Sequence, residues 1–296
     1  MPLLKIAYGP SEDQYILLHD HALSENADPL VILIHGGFWK KKYHIKNSLL
    51  HDSLPLFLKQ HTSYYIAELE YRRVDKEVGV EKNTTDNSNK LLEGWPYTNL
   101  DILMAFHALH QFSKRQPKQF NIDFSKVIIL GHSAGATLGL WACCSGISSL
   151  YQNFQELQSL HVNELLFSLP FTPKLCVAIS PIGSLELGYS RRLSDDGDAV
   201  ERYMGHKPSY SSSCNYQAAS PDHLLPLRCD CLLVSGGRDT DVPQDIVDSF
   251  YQQMLKKQLN KKVISLNIPD ADHYQLVDGK NSAWHQIFHT IISLLE

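Results

Sequence analysis

The chain has 296 residues, 43% hydrophobic and 20% charged, a globular balance with enough apolar residues for a core that needs no disulfide staples. Its net charge of −5 offers no basic field for nucleic acid or an anionic membrane, and Lys and Arg are scattered apart from Lys40-Lys41-Lys42 and Arg72-Arg73. No apolar run approaches the roughly 18 residues of a membrane span. The start, Met1-Pro2-Leu3-Leu4-Lys5, lacks the basic-then-apolar pattern of a secretory leader, so the expected location is the cytoplasm, with the nucleus also open to it.

Lys5-Ile6-Ala7-Tyr8 and Tyr15-Ile16-Leu17-Leu18 read as short strands joined by a polar turn. Leu30-Val31-Ile32-Leu33-Ile34 is a continuous apolar run, the pattern of a strand covered on both faces. Tyr64-Tyr65-Ile66-Ala67 begins a fourth strand. The stretch 75–94 is polar, rich in Asn, Lys and Glu, and reads as a surface loop. Within it, Asn83-Thr84-Thr85 is a glycosylation sequon with no secretory route. Thr98-Asn99-Leu100-Asp101 resembles a capping box that opens a helix with Ile102, Ala105, Phe106, Leu109 and Phe112 on one face.

Val127 to Leu130 forms a further strand, followed by a helix carrying Leu138, Leu140 and Trp141. Strands are expected at Leu175 to Ile179, Cys231 to Val234 and Val263 to Ile268, with helices at Ile246 to Leu255 and Trp284 to Leu295. Between them, 183–228 is rich in Ser, Tyr and Pro and reads either as a small cap or as an irregular excursion. Eight strands alternating with helices predict one α/β domain over 1–296, a mostly parallel sheet with helices on both faces. Cys143, Cys144, Cys176, Cys214, Cys229 and Cys231 read as reduced thiols. Cys229-Asp230-Cys231 has no second Cys/His pair at zinc-like spacing, and no metal is expected.

Chemistry enters at Gly131-His132-Ser133-Ala134-Gly135, a G-x-S-x-G pentapeptide between a strand and a helix. In that setting the chain turns sharply and lifts a serine hydroxyl above the sheet, and the glycines leave room for the turn. A serine nucleophile needs a base, an orienting acid and oxyanion donors. The base belongs in a loop after the last strand, where Asp270-Ala271-Asp272-His273-Tyr274 offers His273. His285 falls inside a predicted helix, and His223 precedes the next-to-last strand. The acid belongs after the preceding strand, where Ser235-Gly236-Gly237-Arg238-Asp239-Thr240-Asp241-Val242-Pro243 offers Asp239 first and Asp241 as fallback. The donors belong after the central strand, at His35-Gly36-Gly37-Phe38-Trp39, and the N–H groups of Gly37, Phe38 and Ala134 are the candidates.

The order Ser133, Asp239, His273 is that of the α/β-hydrolase arrangement. At these residues the chain resembles the esterase/lipase group of α/β-hydrolases, and within it the kynurenine formamidase (arylformamidase) branch and related hydrolases. The resemblance rests on His35-Gly36-Gly37-Phe38-Trp39, on Gly131-His132-Ser133-Ala134-Gly135-Ala136 and on Asp272-His273-Tyr274. Glu70-Tyr71-Arg72-Arg73, Gly94-Trp95-Pro96 and Ser220-Pro221 are similar to segments of related hydrolases.

That resemblance implies the α/β-hydrolase fold and a serine hydrolase with no cofactor, acting on a small-molecule acyl substrate. The substrate it implies is N-formylkynurenine, cleaved to kynurenine and formate in tryptophan catabolism. A broad-specificity carboxylesterase is the alternative on the same machinery. A hydrolase-fold binding protein is the reading from another class, disfavoured because all three triad candidates are present. Trp39, Tyr43, Trp95 and Tyr274 are candidates for an aromatic substrate wall. Arg72 or Arg73 forms either a structural ion pair or a contact to a substrate carboxylate. Monomer and homodimer both stay open.

Overall fold

Apolar runs at the predicted positions become eight strands of one sheet: β1 (Leu3–Ala7), β2 (Tyr15–His19), β3 (Asp28–Ile34), β4 (Tyr65–Glu70), β5 (Ile122–His132), β6 (Leu175–Ile179), β7 (Asp230–Gly236) and β8 (Val263–Ile268). Their order across the sheet is β1-β2-β4-β3-β5-β6-β7-β8. β2 pairs antiparallel with both β1 and β4, and every pairing from β4 to β8 is parallel. The computed structural model describes residues 3–19, 25–75, 93–154, 157–158, 160, 163–194, 196–209, 213–257 and 261–296. Most of the expected polar loop, 76–92 with its sequon, lies outside the described residues.

Five longer helices flank the sheet: α1 (Leu49–His61), α2 (Tyr97–Arg115), α3 (Ala134–Cys143), α4 (Gln244–Lys257) and α5 (Ser282–Leu295). The central strand β3 explains why both faces are covered. Its Leu30, Ile32 and Ile34 join one core with Phe106 of α2, Leu138 of α3 and Phe250 of α4. Its Val31 and Leu33 join a second core with Leu54 of α1 and Trp284 of α5. Side chains alternate across a strand, so a continuous apolar run feeds both layers. No helix among the described residues is long and apolar enough to cross a membrane, and all six cysteines are free.

Two features differ from the sequence reading, and a third gains detail. α1 has no counterpart there because Pro55 interrupts the run, yet Leu50, Leu54, Phe57 and Leu58 share a helical face and Ser48 caps it by accepting from His51 N at 3.2 Å. The capping box at Thr98-Asn99-Leu100-Asp101 does not form. The helix begins at Tyr97, Thr98 Oγ donates instead to the Arg72 carbonyl at 2.6 Å, and Asp101 takes the Arg72 guanidinium at 2.6 Å. The stretch 183–228 contains short helices at Leu185–Ser190, Ala199–Met204, Ser213–Ala219 and Pro221–Leu224. It packs back on the body through Tyr203, stacked on Trp39 at 4.4 Å, and through the Ala218 carbonyl, which accepts from Trp141 Nε1 at 2.9 Å.

Because β3, β5, β7 and β8 run in one direction, the loops after them gather along a single edge of the sheet. In open α/β sheets ligands bind at that carboxyl edge.

Candidate active site

Ser133 occupies the turn between β5 and α3 with φ 55° and ψ −124°, a left-handed conformation for a residue with a Cβ. Such a backbone costs about 1–3 kcal/mol and persists only where the surroundings enforce it. The enforcement is visible. Ser133 N donates to the Ile179 carbonyl at 2.8 Å. A Cβ on Gly135 would stand 2.2 Å from the Ile34 carbonyl oxygen, so only glycine lets α3 approach β3 this closely. The Ser133 hydroxyl is buried without a hydrogen-bond partner and faces a cavity of about 190 Å³.

His273 and Tyr274 reach the same cavity from the loop after β8. His273 Nδ1 lies 2.8 Å from Asp239 Oδ2. Since the carboxylate only accepts, Nδ1 carries the proton and Nε2 presents its lone pair. Asp239 is held in turn, its Oδ1 accepting from Val242 N at 2.8 Å and Asp241 N at 3.0 Å. Burial pushes the Asp239 carboxyl up, but the hydrogen bond and charge of His273, with those from Ser180 and Val242, more than offset this and leave it below the usual range.

The side chain of Asp241 makes no hydrogen bond to His273; Asp239 makes it. The carboxylates of Asp239 and Asp241 and a ring nitrogen of His273 lie within 4.8 Å of one another, the single such cluster among the described residues. A cation held there would displace the Nδ1–H···Oδ2 hydrogen bond, so this donor set favours the hydrogen-bonded pair. His132 beside it donates from Nε2 to the His273 carbonyl at 3.0 Å. Burial, then the nearby His273, pushes the His132 ring down to about 3, so it stays neutral.

On the opposite wall, Gly37, Phe38 and Trp39 have φ of 114°, 51° and 55°. A Cβ on Gly37 would stand 2.3 Å from Tyr43 Cβ. Among the described residues the N–H groups of Gly37, Phe38 and Ala134 donate to no protein acceptor. Gly37 and Phe38 line the cavity, and Ala134 opens α3 directly behind Ser133.

The loop is anchored from beneath by Glu70, which is buried at the end of β4. Its carboxylate meets His35 Nε2 at 2.9 Å, Ile45 N at 2.9 Å and the Arg73 guanidinium, which also pairs with Asp13 at 2.9 Å. Burial raises the Glu70 carboxyl, and these partners more than reverse it, leaving it lowered. Arg72 and Arg73 are therefore both consumed in structural ion pairs. Sequence reasoning did not single out Glu70 or His132. Two glutamates alternating within an apolar strand, Glu68 and Glu70, were the available signal.

Of the aromatic candidates, Tyr43 and Tyr274 line the cavity. Trp39 and Trp95 do not, which corrects the expected aromatic wall. Trp39 is sealed under Tyr203, and Trp95 packs edge-on against Trp141 at 6.0 Å. Both indoles serve the core, where their large apolar area is most effectively buried. The α1 end supplies residues that sequence reasoning missed: Asn47, Ser48, Leu49 and Leu50 complete the wall.

No family model matches the chain, and no curated protein does. Solved structures do. Esterase B from Lactobacillus rhamnosis superposes with a TM-score of 0.66 at 18% identity, over 99% of this chain and 84% of that one. A truncated carbohydrate esterase from gut microbiota gives 0.68 at 15%, over 99% and 96%. Esterase 2 from Thermogutta terrifontis gives 0.64 at 13%, over 99% and 91%. At these identities the likeness is one of fold, and with the sheet order above it makes this chain an α/β-hydrolase fold: eight mostly parallel strands between two helical layers.

Proposed function

We propose that the protein is a serine esterase that removes short acyl groups, with Ser133 as nucleophile, His273 as general base and acid, and Asp239 holding the imidazole. The observation that carries this reading is the convergence on one cavity of an unpartnered hydroxyl on a strained turn and an imidazole whose Nδ1 is tied to a buried carboxylate. Ser133 Oγ attacks the ester carbonyl and passes its proton to His273 Nε2. The N–H groups of Gly37, Phe38 and Ala134 receive the oxyanion, and each such donor is worth about 3–4 kcal/mol in the transition state. His273 then protonates the departing alcohol, and water repeats the cycle on the acyl-enzyme.

Two further observations support the substrate class. The cavity of about 190 Å³ is below the range of roughly 300–1,000 Å³ typical of drug-sized ligands, which favours an acetyl-sized acyl group. The structural neighbours described above are esterases, and the Thermogutta enzyme is described as phosphorylated by paraoxon. These neighbours favour the ester over the formamide, so the carboxylesterase reading stands ahead of the formylkynurenine one.

The test is hydrolysis of p-nitrophenyl acetate beside N-formylkynurenine, with Ser133→Ala and an organophosphate as controls. Ester turnover that Ser133→Ala and the organophosphate both abolish supports the proposal. A much higher kcat/KM on N-formylkynurenine would move the assignment to the formamidase. Absence of turnover and of Ser133 labelling would sink the catalytic reading.

A further inference from the structure

The oxyanion wall is a turn that its own residues resist. Lys40 N donates to the Gly37 carbonyl at 2.9 Å, which closes 37–40 into a turn. Both central residues, Phe38 and Trp39, have positive φ, 51° and 55°. Turns of that shape take glycine or asparagine at such positions, because a residue with a Cβ is strained there. Two bulky aromatics hold it only where the surroundings impose it. The direction of the Phe38 N–H follows from the turn, so whatever imposes the turn also aims an oxyanion donor.

Two adjacent side chains tie this turn to one short helix, Ala199–Met204, and the loop before it. The Trp39 indole stacks on Tyr203 at 4.4 Å. Lys40 is 4% exposed, and its ammonium lies 3.0 Å from Asp196 Oδ2, 3.4 Å from Ser194 Oγ and 3.5 Å from Asp198 Oδ1. Asp198 stands directly before the helix and also pairs with Arg202 Nε at 2.5 Å. The helix is fixed in turn: Trp95 N donates to the Tyr203 carbonyl at 2.8 Å, and the Tyr203 hydroxyl donates to Asn99 of α2. Lysine is almost never buried unless it is paired. A buried ion pair adds little net stability over an apolar replacement, so the role left to this one is to select a single shape of the turn.

We propose that Lys40 is a positioning residue: paired with Asp196 and Asp198, it locks the 37–40 turn in the shape that aims the Phe38 N–H at the oxyanion. The stretch 183–228 is then the buttress of the oxyanion wall. This role rests on the serine esterase reading. Lys40 does not line the acyl cavity and touches no reacting atom, so it acts through Phe38.

The experiment measures kcat and KM on p-nitrophenyl acetate, the Ki of trifluoroacetone and the thermal midpoint in the wild type, Lys40→Met and Lys40→Arg. Ser133 adds to trifluoroacetone to give a hemiketal oxyanion, so its Ki reads the oxyanion wall directly. In Lys40→Met, kcat is expected to fall about tenfold and the Ki to rise about tenfold, with KM changed by less than about twofold. Lys40→Arg keeps the charge and is expected to recover most of the loss. The Asp196 and Asp198 side chains are 49% and 26% exposed, so water takes up their charges and Lys40→Met is expected to fold. A folded Lys40→Met with wild-type kcat and Ki overturns the role, even if its thermal midpoint falls. Equal losses in Lys40→Met and Lys40→Arg overturn the charge pairing. If Lys40→Met does not fold, Asp196→Asn decides: changes of the same sign, about threefold, are expected, and unchanged values overturn the role. A wild type that neither cleaves the ester nor takes an organophosphate on Ser133 removes the esterase reading, and the role of Lys40 with it.

Discussion

Ser180 Oγ donates a 2.6 Å hydrogen bond to Oδ2 of Asp239, the same oxygen that takes the proton-bearing Nδ1 of His273. Ser180 is fully buried at the end of β6 with φ 50°, and its N–H is stitched to the Val234 carbonyl of β7 at 2.8 Å. It fixes the oxygen on which the His273 ring is oriented. A hydrogen bond to an ionised carboxylate is about twice as strong as a neutral one.

Ser180→Ala is therefore predicted to lower kcat on p-nitrophenyl acetate about tenfold with little change in KM. It also removes one of the groups that hold the Asp239 carboxyl low. A depressed folded pKa gives stability that is present above the unfolded value of about 3.9 and is lost as pH falls through the folded value. With the depression weakened, acid unfolding begins at a higher pH. Stopped assays and acid titration of the far-ultraviolet signal test both parts, and wild-type behaviour in both would refute the role.

Gly37→Ala is predicted to disable the oxyanion wall. The added Cβ lands 2.3 Å from Tyr43 Cβ at a φ of 114° that alanine resists, so the loop must move. A fall in kcat of about 10²–10³ is expected. Organophosphate titration separates this from misfolding, since a folded variant still consumes one equivalent at Ser133. Retention of more than a tenth of the wild-type kcat would remove Gly37 from the oxyanion wall.

The sheet and the candidate site were legible for the same reason. A buried parallel strand needs a run such as Leu30–Ile34, and a nucleophile turn needs glycines, so both leave local marks in the sequence. The eight strands and the Ser133, Asp239, His273 order follow from such marks. What was hidden depends on partners distant in sequence. Ser180 is an ordinary serine until β6 and β7 bring it to Asp239, 59 residues away. Trp39 and Trp95 look like pocket aromatics until Tyr203 and Trp141 cover them. α1 was masked by Pro55, although its cap and its 50, 54, 57, 58 spacing were present.

Glu70→Gln is predicted to destabilise the fold by about 3–5 kcal/mol. The carboxylate is 1% exposed and serves His35, Ile45 N and the Arg73 guanidinium together. Its loss leaves a buried guanidinium with Asp13 as its remaining ionic partner. Urea unfolding measures the difference, and a loss below about 1 kcal/mol would mean that the cluster relaxes toward solvent.

His51 links the acyl wall to pH. It is in the first turn of α1, next to the cavity residues Leu49 and Leu50, and its Nδ1 lies 2.9 Å from the buried Glu68 carboxylate, which also meets His19 Nε2 at 2.6 Å. The hydrogen bond to Glu68 raises the His51 ring above its usual value, against the opposing effect of burial. A raised folded pKa contributes stability that is complete below the unfolded value of about 6.5 and is lost as pH climbs through the folded value. The thermal midpoint of the wild type should therefore exceed that of His51→Gln most below pH 6, and the gap should close at alkaline pH. Partial exposure of His51 keeps the effect at or below about 1 kcal/mol. A gap that is constant across pH 5 to 9 would assign the His51 contribution to packing rather than charge, since packing has no proton to lose.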